Sequence, residues 1–208
     1  MEIRNAKTQD VDDILEIINF QILNSTAVYD CKKKTYLQQL KWYEKKIADG
    51  MPVIVAESKG EILGFGTFGI FRPWEAYKFS VEHSIYVTEN SKGKGIGKQL
   101  LKNLIYIAEK QKYHTMIAGV DASNKRSIEF HEKFGFKKVG TINEVGYKFN
   151  EWLDLCFLQL IIKKINLILE LNQKIYNSIA NNFKNEHNQY HKKVFTIFPN
   201  HWLSVVCI

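Results

Sequence analysis

Between Val81 and Gly97 the chain reads VEHSIYVTENSKGKGIG, an alternating strand with one acid that runs into a glycine-rich turn and then an amphipathic helix. Glycines at 93, 95 and 97 let the backbone turn tightly and approach a ligand closely. The first amides of the helix have no intrahelical partners and are left to point at phosphate oxygens. The helix GKQLLKNLIYIAEKQ puts Ile96, Leu100, Leu101, Leu104, Ile105 and Ala108 on one stripe with lysines and glutamines opposite, so one face is buried and the other solvated. On the strand, Glu82, Ser84 and Tyr86 share one face, and Val81, His83, Ile85 and Val87 the other. The run specifies a grip for a pyrophosphate with a carboxylate close by.

Two familiar nucleotide sites fail on spacing. A phosphate loop of the NTPase type needs a Ser or Thr after its Gly-Lys pair, to hold magnesium, and the residue after Gly97-Lys98 is Gln99. The dinucleotide fingerprint needs its third glycine three positions after the second, whereas Gly97 follows Gly95 by two.

With 208 residues, 45% apolar and 25% charged, the chain has the make-up of a globular protein with one well-buried core. No window approaches the roughly 20 uninterrupted apolar residues of a membrane span. The N-terminus MEIRNAKTQD lacks the apolar core of a signal peptide, so a cytoplasmic location is expected. Cys31, Cys156 and Cys207 have neither metal-ligand spacing nor an even count, and are read as unpaired thiols. The +7 formal charge is scattered and not gathered into a stripe interleaved with stacking aromatics, so solvated surface explains it better than a nucleic-acid partner.

The expected element order is β-α-α-β-β-β-α-β-α-β-β, an α/β chain. A strand in EIRNA precedes a helix from about Asp10 to Leu23 that buries Val11, Ile14, Leu15, Ile18 and Ile22. Thr35 caps a second helix ending near Gly50. Strands follow at 52–57, 61–71 and 79–87; after the glycine-turn helix come the strand HTMIAGVD, a helix at Asn124, and strands near 136–147 and 153–162. Beyond Lys163 the composition shifts towards Asn, Lys, Ile and Tyr. Residues 163–208 are read as an extension, with one amphipathic helix and an apolar end, whose role stays open. Its histidines, His187, His191 and His201, lack companion ligands, and no metal is expected.

The segment Lys92-Gly93-Lys94-Gly95-Ile96-Gly97 resembles the acyl-CoA signature of the GNAT N-acetyltransferase superfamily, with Lys92 for the usual Gln or Arg. Asn124 to Phe136, NKRSIEFHEKFGF, resembles that superfamily's other cofactor-side helix. Gly64-Phe65-Gly66, Phe71-Arg72-Pro73-Trp74, Ser80-Val81-Glu82 and Gly146-Tyr147-Lys148-Phe149 with Trp152 and Asp154 narrow the resemblance to the phosphinothricin and methionine sulfoximine acetyltransferase branch, over about 3–162. The resemblance implies the GNAT fold, a mixed, mostly antiparallel sheet flanked by helices, in a domain spanning 1–162. It also implies acetyl-CoA as co-substrate and a homodimer. The cofactor contacts it implies are Tyr86, Val87, Lys92 to Lys98, Asn124, Ser127 and Phe130.

Amine acetylation sets three requirements: an ammonium must lose a proton, an oxyanion must be stabilised, and a thiolate must leave. Glu82 is the acid nearest the glycine turn and is expected to be the general base, directly or through a water, with Trp74 and Phe65 enclosing it. His131 stands where most members have a tyrosine acid, and is either the acid or a group that orients the substrate. Main-chain amides near Tyr86 and Val87 are the expected oxyanion donors. Phe65, Phe71, Trp74, Tyr77 and Phe149 are expected to wall the acceptor site and Arg72 or Lys148 to bind a carboxylate; the loop 24–30 between the first helices resembles the family's substrate-covering loop, which implies that Thr26 and Tyr29 touch the ligand. These features suggest a small amino acid or analogue as acceptor, attacked directly in a ternary complex. The competing readings are a protein or peptide N-acetyltransferase, which needs an open groove, and a CoA-binding sensor without chemistry.

Overall fold

A computed structural model describes residues 1–162; the expectations for the 163–208 extension lie outside them. Eleven regular elements follow the expected order: β1 (Glu2–Asn5), α1 (Val11–Asn24), α2 (Tyr36–Ala48), β2 (Val53–Ser58), β3 (Glu61–Ile70), β4 (Ser80–Val87), α3 (Ile96–Lys110), β5 (Thr115–Asp121), α4 (Lys125–Glu132), β6 (Lys137–Lys148) and β7 (Glu151–Ile161). Short helical turns at Thr8–Asp10, Glu75–Tyr77 and Glu89–Ser91 were not expected.

The strands form one seven-stranded sheet in the order β1-β2-β3-β4-β5-β7-β6, antiparallel except where β4 meets β5. Alternation along β3 sends Phe65 into a core shared with Ile14, Ile18 and Ile22 of α1 and Tyr43 of α2, while Gly66 turns to the opposite face beneath Leu104 of α3. The sheet is therefore covered on both faces. In α1 the buried stripe is Val11, Ile14, Ile17, Ile18 and Ile22; Ile17 takes a place expected for Leu15, which is only partly buried. Thr35 and Gln38 form a capping box at the start of α2, and Gly50, at φ +68°, ends it in the left-handed region. The β6–β7 hairpin turns on Phe149 and Asn150, at φ +52° and +63°, and β7 starts two residues earlier than expected. Phe-Asn is a weak turn signal, so the sequence does not mark the turn's position sharply.

The feature that makes a site is a divergence. Strands β4 and β5 pair only from Ser80–Glu82 to Thr115–Ile117. Beyond this, β4 stays with β3 as far as Val87 opposite Gly64, and β5 follows β7 to Asp121 opposite Leu155. A wedge opens between them, and the β5-facing edge of β4 has no partner strand there.

Candidate active site

The wedge continues into a cavity of about 780 Å³ bounded by β4 from Glu82 to Val87, the glycine turn, α4 from Arg126 to His131, the end of β5 and the loop after α1. Its depth along β4 depends on Gly64, where a Cβ would stand 2.7 Å from the Tyr86 carbonyl oxygen and 3.2 Å from the Val87 Cα. Only glycine lets β3 come this close.

At the phosphate end, Gly93 and Gly95 sit at φ +80° and +81°, and Gly95 is the N-cap of α3. The amides of Ile96, Gly97 and Lys98 head a fifteen-residue helix with no preceding turn to accept them, which makes a ready anion site. Lys92 forms an ion pair with Glu89 at 2.5 Å. Lys98 also lines the cavity, but Lys94 does not. Arg126 of α4 reaches across, its Nη2 3.9 Å from the place a Gly93 Cβ would take. It holds a variable position of the helix motif, and only the tertiary placement of α4 brings it beside the turn.

On α4, the Asn124 Oδ1 accepts from the Ser127 amide at 3.0 Å, starting the helix, and Phe130 lines the cavity. His131 Nδ1 lies 2.6 Å from the Ser127 carbonyl oxygen, which fixes Nδ1 as the protonated nitrogen and leaves Nε2 as an acceptor. Burial pushes its pKa down, against that hydrogen bond, so the ring is neutral near pH 7. Beneath it lies His83, 5.1 Å away between ring centroids, with neither nitrogen hydrogen-bonded and its pKa pushed down to about 3 by burial and by His131.

Glu82 is half-buried, its Oε1 3.0 Å from the place a Gly119 Cβ would occupy, with Leu155 and Phe157 at 3.4 and 3.9 Å from that same point. Gly119 makes room for the carboxylate to cross onto β5. Burial raises the Glu82 pKa and Arg72 partly opposes it, the combination that brings a carboxylate's basicity closer to neutral pH. The enclosing residues differ from those expected. Phe65 is 1% exposed, packed in the core against Trp42 and Tyr86, and Trp74 is 64% exposed. Phe71 stacks edge-on against Phe157 and Tyr77, and the Arg72 guanidinium lies 4.6 Å above the Phe71 ring. Phe149 is exposed beside the Lys148 ammonium.

The loop side supplies Thr26 and Tyr29, both lining the cavity. Facing them is Asp121, 5% exposed, which sequence reading missed. Its Oδ1 accepts from the Ser123 amide at 2.8 Å, and its carboxyl stays below the usual range because the hydrogen bonds it accepts outweigh the cost of burial. As the last residue of an apolar strand just before Asn124, Asp121 could have been flagged as a polar group at a strand end. Lys148 is not free for a carboxylate: its Nζ donates to the carbonyls of Ser25 and Val28. Among the described residues, no cluster of His, Cys, Asp and Glu is arranged to hold a metal, and no helix is long and apolar enough to cross a membrane.

Residues 17–136 match the model of the acetyltransferase (GNAT) family. The L-methionine sulfoximine/L-methionine sulfone acetyltransferase of Pseudomonas aeruginosa is 39% identical over 159 residues, 76% of this chain and 92% of that protein. An N-acetyltransferase from Staphylococcus aureus, known as a crystal structure, is 50% identical with a TM-score of 0.77, over 77% of this chain and 98% of that one. A phosphinothricin acetyltransferase from Sinorhizobium meliloti, crystallised with acetyl-CoA, is 32% identical with a TM-score of 0.75, over 77% and 87%. The divergent strands, the glycine turn at the head of α3 and these likenesses agree: the chain belongs to the GNAT family of acetyltransferases.

Proposed function

We propose that this chain transfers the acetyl group of acetyl-CoA to the primary amine of a small amino acid or analogue, of the methionine sulfoximine, methionine sulfone or phosphinothricin kind, by direct attack in a ternary complex. The observation that carries the reading is one half-buried carboxylate, Glu82, with a raised pKa, set at the point where β4 leaves β5. Bound acetyl-CoA supplies an activated thioester. The amides of Ile96 to Lys98, with Arg126 and Lys98, form the anion site that fits its pyrophosphate, and the unpaired edge of β4 lies alongside the wedge its pantetheine arm would enter. Glu82 takes the ammonium proton, directly or through a water, and backbone amides near Tyr86 and Val87 stabilise the oxyanion; as the C–N bond is made the C–S bond breaks, and the leaving thiolate is balanced by the proton the new amide nitrogen gives up. With Nδ1–H given to Ser127, neutral His131 offers an acceptor towards the cavity and orients a donor; it holds no spare proton at neutral pH. Arg72, whose charge acts on Glu82 and which forms no salt bridge among the described residues, is the cation suited to an acceptor carboxylate.

We further infer a domain spanning 1–162, a cytoplasmic enzyme, because acetyl-CoA is drawn from that pool, and a homodimer. The dimer reading is supported by β6, an edge strand that exposes Val139, Ile142, Val145 and Tyr147 next to Trp152. The test is thiol release and product formation with acetyl-CoA and phosphinothricin, methionine sulfoximine, methionine sulfone, aromatic amino acids or a peptide mixture. Saturable acetylation of one small amino acid is the expected result. Acetylation of peptides alone would replace the acceptor class, and CoA binding without turnover on any amine would make the chain a sensor.

A further inference from the structure

The loop that lines the acceptor side of the cavity, residues 25–34, has no regular secondary structure. It spans two helix ends and carries Thr26, Ala27, Val28 and Tyr29 into the cavity wall. A segment of this kind needs something to hold it in one conformation, since ordering each residue costs about 1–2 kcal/mol of backbone entropy. Asn19 of α1 exchanges hydrogen bonds with the Lys34 main chain at the end of the loop, and the contacts that hold its cavity-lining half against the sheet come from the β6–β7 hairpin. Lys148, the last residue of β6, is 4% exposed, and its ammonium donates to the Ser25 carbonyl at 2.8 Å and the Val28 carbonyl at 2.6 Å. Two residues earlier, Gly146 gives Tyr29 a seat: a Cβ there would stand 2.7 Å from the Tyr29 ring. The Tyr29 hydroxyl approaches the Asp154 carbonyl oxygen of β7 at 3.5 Å.

We propose that Lys148 is a positioning residue, a buried ammonium that latches loop 25–34 over the acceptor side of the cavity, so that acceptor recognition depends on a side chain that never touches the acceptor. Both of its bonds go to main-chain oxygens, so no side-chain change within the loop can replace them. Without Lys148 those two carbonyls keep their place only by staying buried and unpaired, or recover hydrogen bonds by letting the loop open to water. Opening costs the wall that Thr26 and Tyr29 form and leaves the glycine turn and α3 untouched. The kinetic consequence rests on the acetyltransferase reading above; the conformational one does not.

The full-length protein and its Lys148→Met and Lys148→Gln variants are digested briefly with trypsin, and cleavage after Lys32 and Lys33, both exposed on this loop, is timed by mass spectrometry. Loss of the ammonium is expected to speed cleavage there by about tenfold in Lys148→Met. Lys148→Gln, which keeps an N–H donor on a shorter stem, is expected to fall between the two, with thermal unfolding showing that each variant is folded. With methionine sulfone as acceptor, loss of the latch is expected to raise KM for the amine by a similar factor and leave KM for acetyl-CoA unchanged, and to do the same for the decarboxylated amine of the same skeleton. Wild-type cleavage rates in both variants would overturn the latch. A loss confined to the acceptor that carries a carboxylate, at unchanged cleavage, would also overturn it and make Lys148 a direct ligand. Should the wild-type protein acetylate neither amine, the proposed acceptor class fails, and cleavage alone still decides the latch.

Discussion

Replacing Glu82 by Gln keeps the shape that lies over Gly119 and removes only the basicity, so it separates chemistry from architecture. General-base assistance contributes about 10²–10⁴-fold, equivalent to roughly 2.7–5.5 kcal/mol of barrier. The upper half of that range is expected, because burial raises the Glu82 pKa and places the base nearer the pH at which it works. The pH profiles should diverge in a defined way. Wild-type kcat/KM rises until Glu82 ionises, above the usual carboxylate range, and then levels off. In the variant only free amine reacts, so its kcat/KM keeps climbing towards the pKa of the amine and the deficit shrinks about tenfold per pH unit. Stability should move the other way. A carboxyl whose pKa is raised in the folded state destabilises that state once ionised, so Glu82→Gln should melt higher at pH 8 and lose this advantage below the ordinary glutamate value of 4.5. Binding of CoA is expected to be unchanged by calorimetry. Turnover within about threefold of wild type, with the same pH profile, would refute Glu82 as the base.

Gly64→Ala would drive a Cβ into main-chain atoms of Tyr86 and Val87 that cannot yield, so we expect a loss of about 1–3 kcal/mol in denaturant unfolding together with a raised KM for acetyl-CoA. Arg126→Ala should raise KM for acetyl-CoA on the order of tenfold at low salt and flatten its dependence on ionic strength, as steady-state rates across a salt series would show. His83 has a pKa lowered from 6.5 to about 3, so the folded state loses stability as pH falls through that interval, by about 1.4 kcal/mol per unit. His83→Leu should flatten the fall in melting temperature between pH 6.5 and 4, leaving the part due to His131, whose pKa burial also lowers; Asp10, whose carboxyl is held low by Arg4, adds its loss only below the ordinary aspartate value of 3.8.

The sequence and the structure agree best where a function rests on residues close together in the chain. Strand β4, the glycine turn and α3 are continuous, so periodicity places Glu82 on its face and the buried stripe of α3 as found. The Asn124 cap and the His131 helix are legible for the same reason. Acceptor residues are another matter. Phe65 and Trp74 have the composition of a pocket wall, yet one is core and the other surface, and no local pattern separates these from a lining role. Lys148 illustrates the limit: its bonds span 123 and 120 residues, so only the tertiary fold turns a candidate carboxylate ligand into a strut for the opposite loop.

The same division bears on how specificity is distributed. On the phosphate side, the proposed recognition rests on helix-start amides and on backbone left unpaired by the parting of β4 and β5, features that a side-chain substitution does not remove. On the acceptor side, the wall is assembled from residues 25–29 of the loop after α1, Glu82 of β4, the end of β5 and Leu155 of β7, with the loop tied to the end of β6 by two polar contacts. Changes to the acceptor wall can therefore alter the amine accepted while the thioester stays where it was. For this reason the substitutions expected to redirect the enzyme lie at Thr26, Tyr29 and Asp121, whereas those expected to silence it lie at Glu82 and at glycines whose missing side chains make room for a neighbouring backbone.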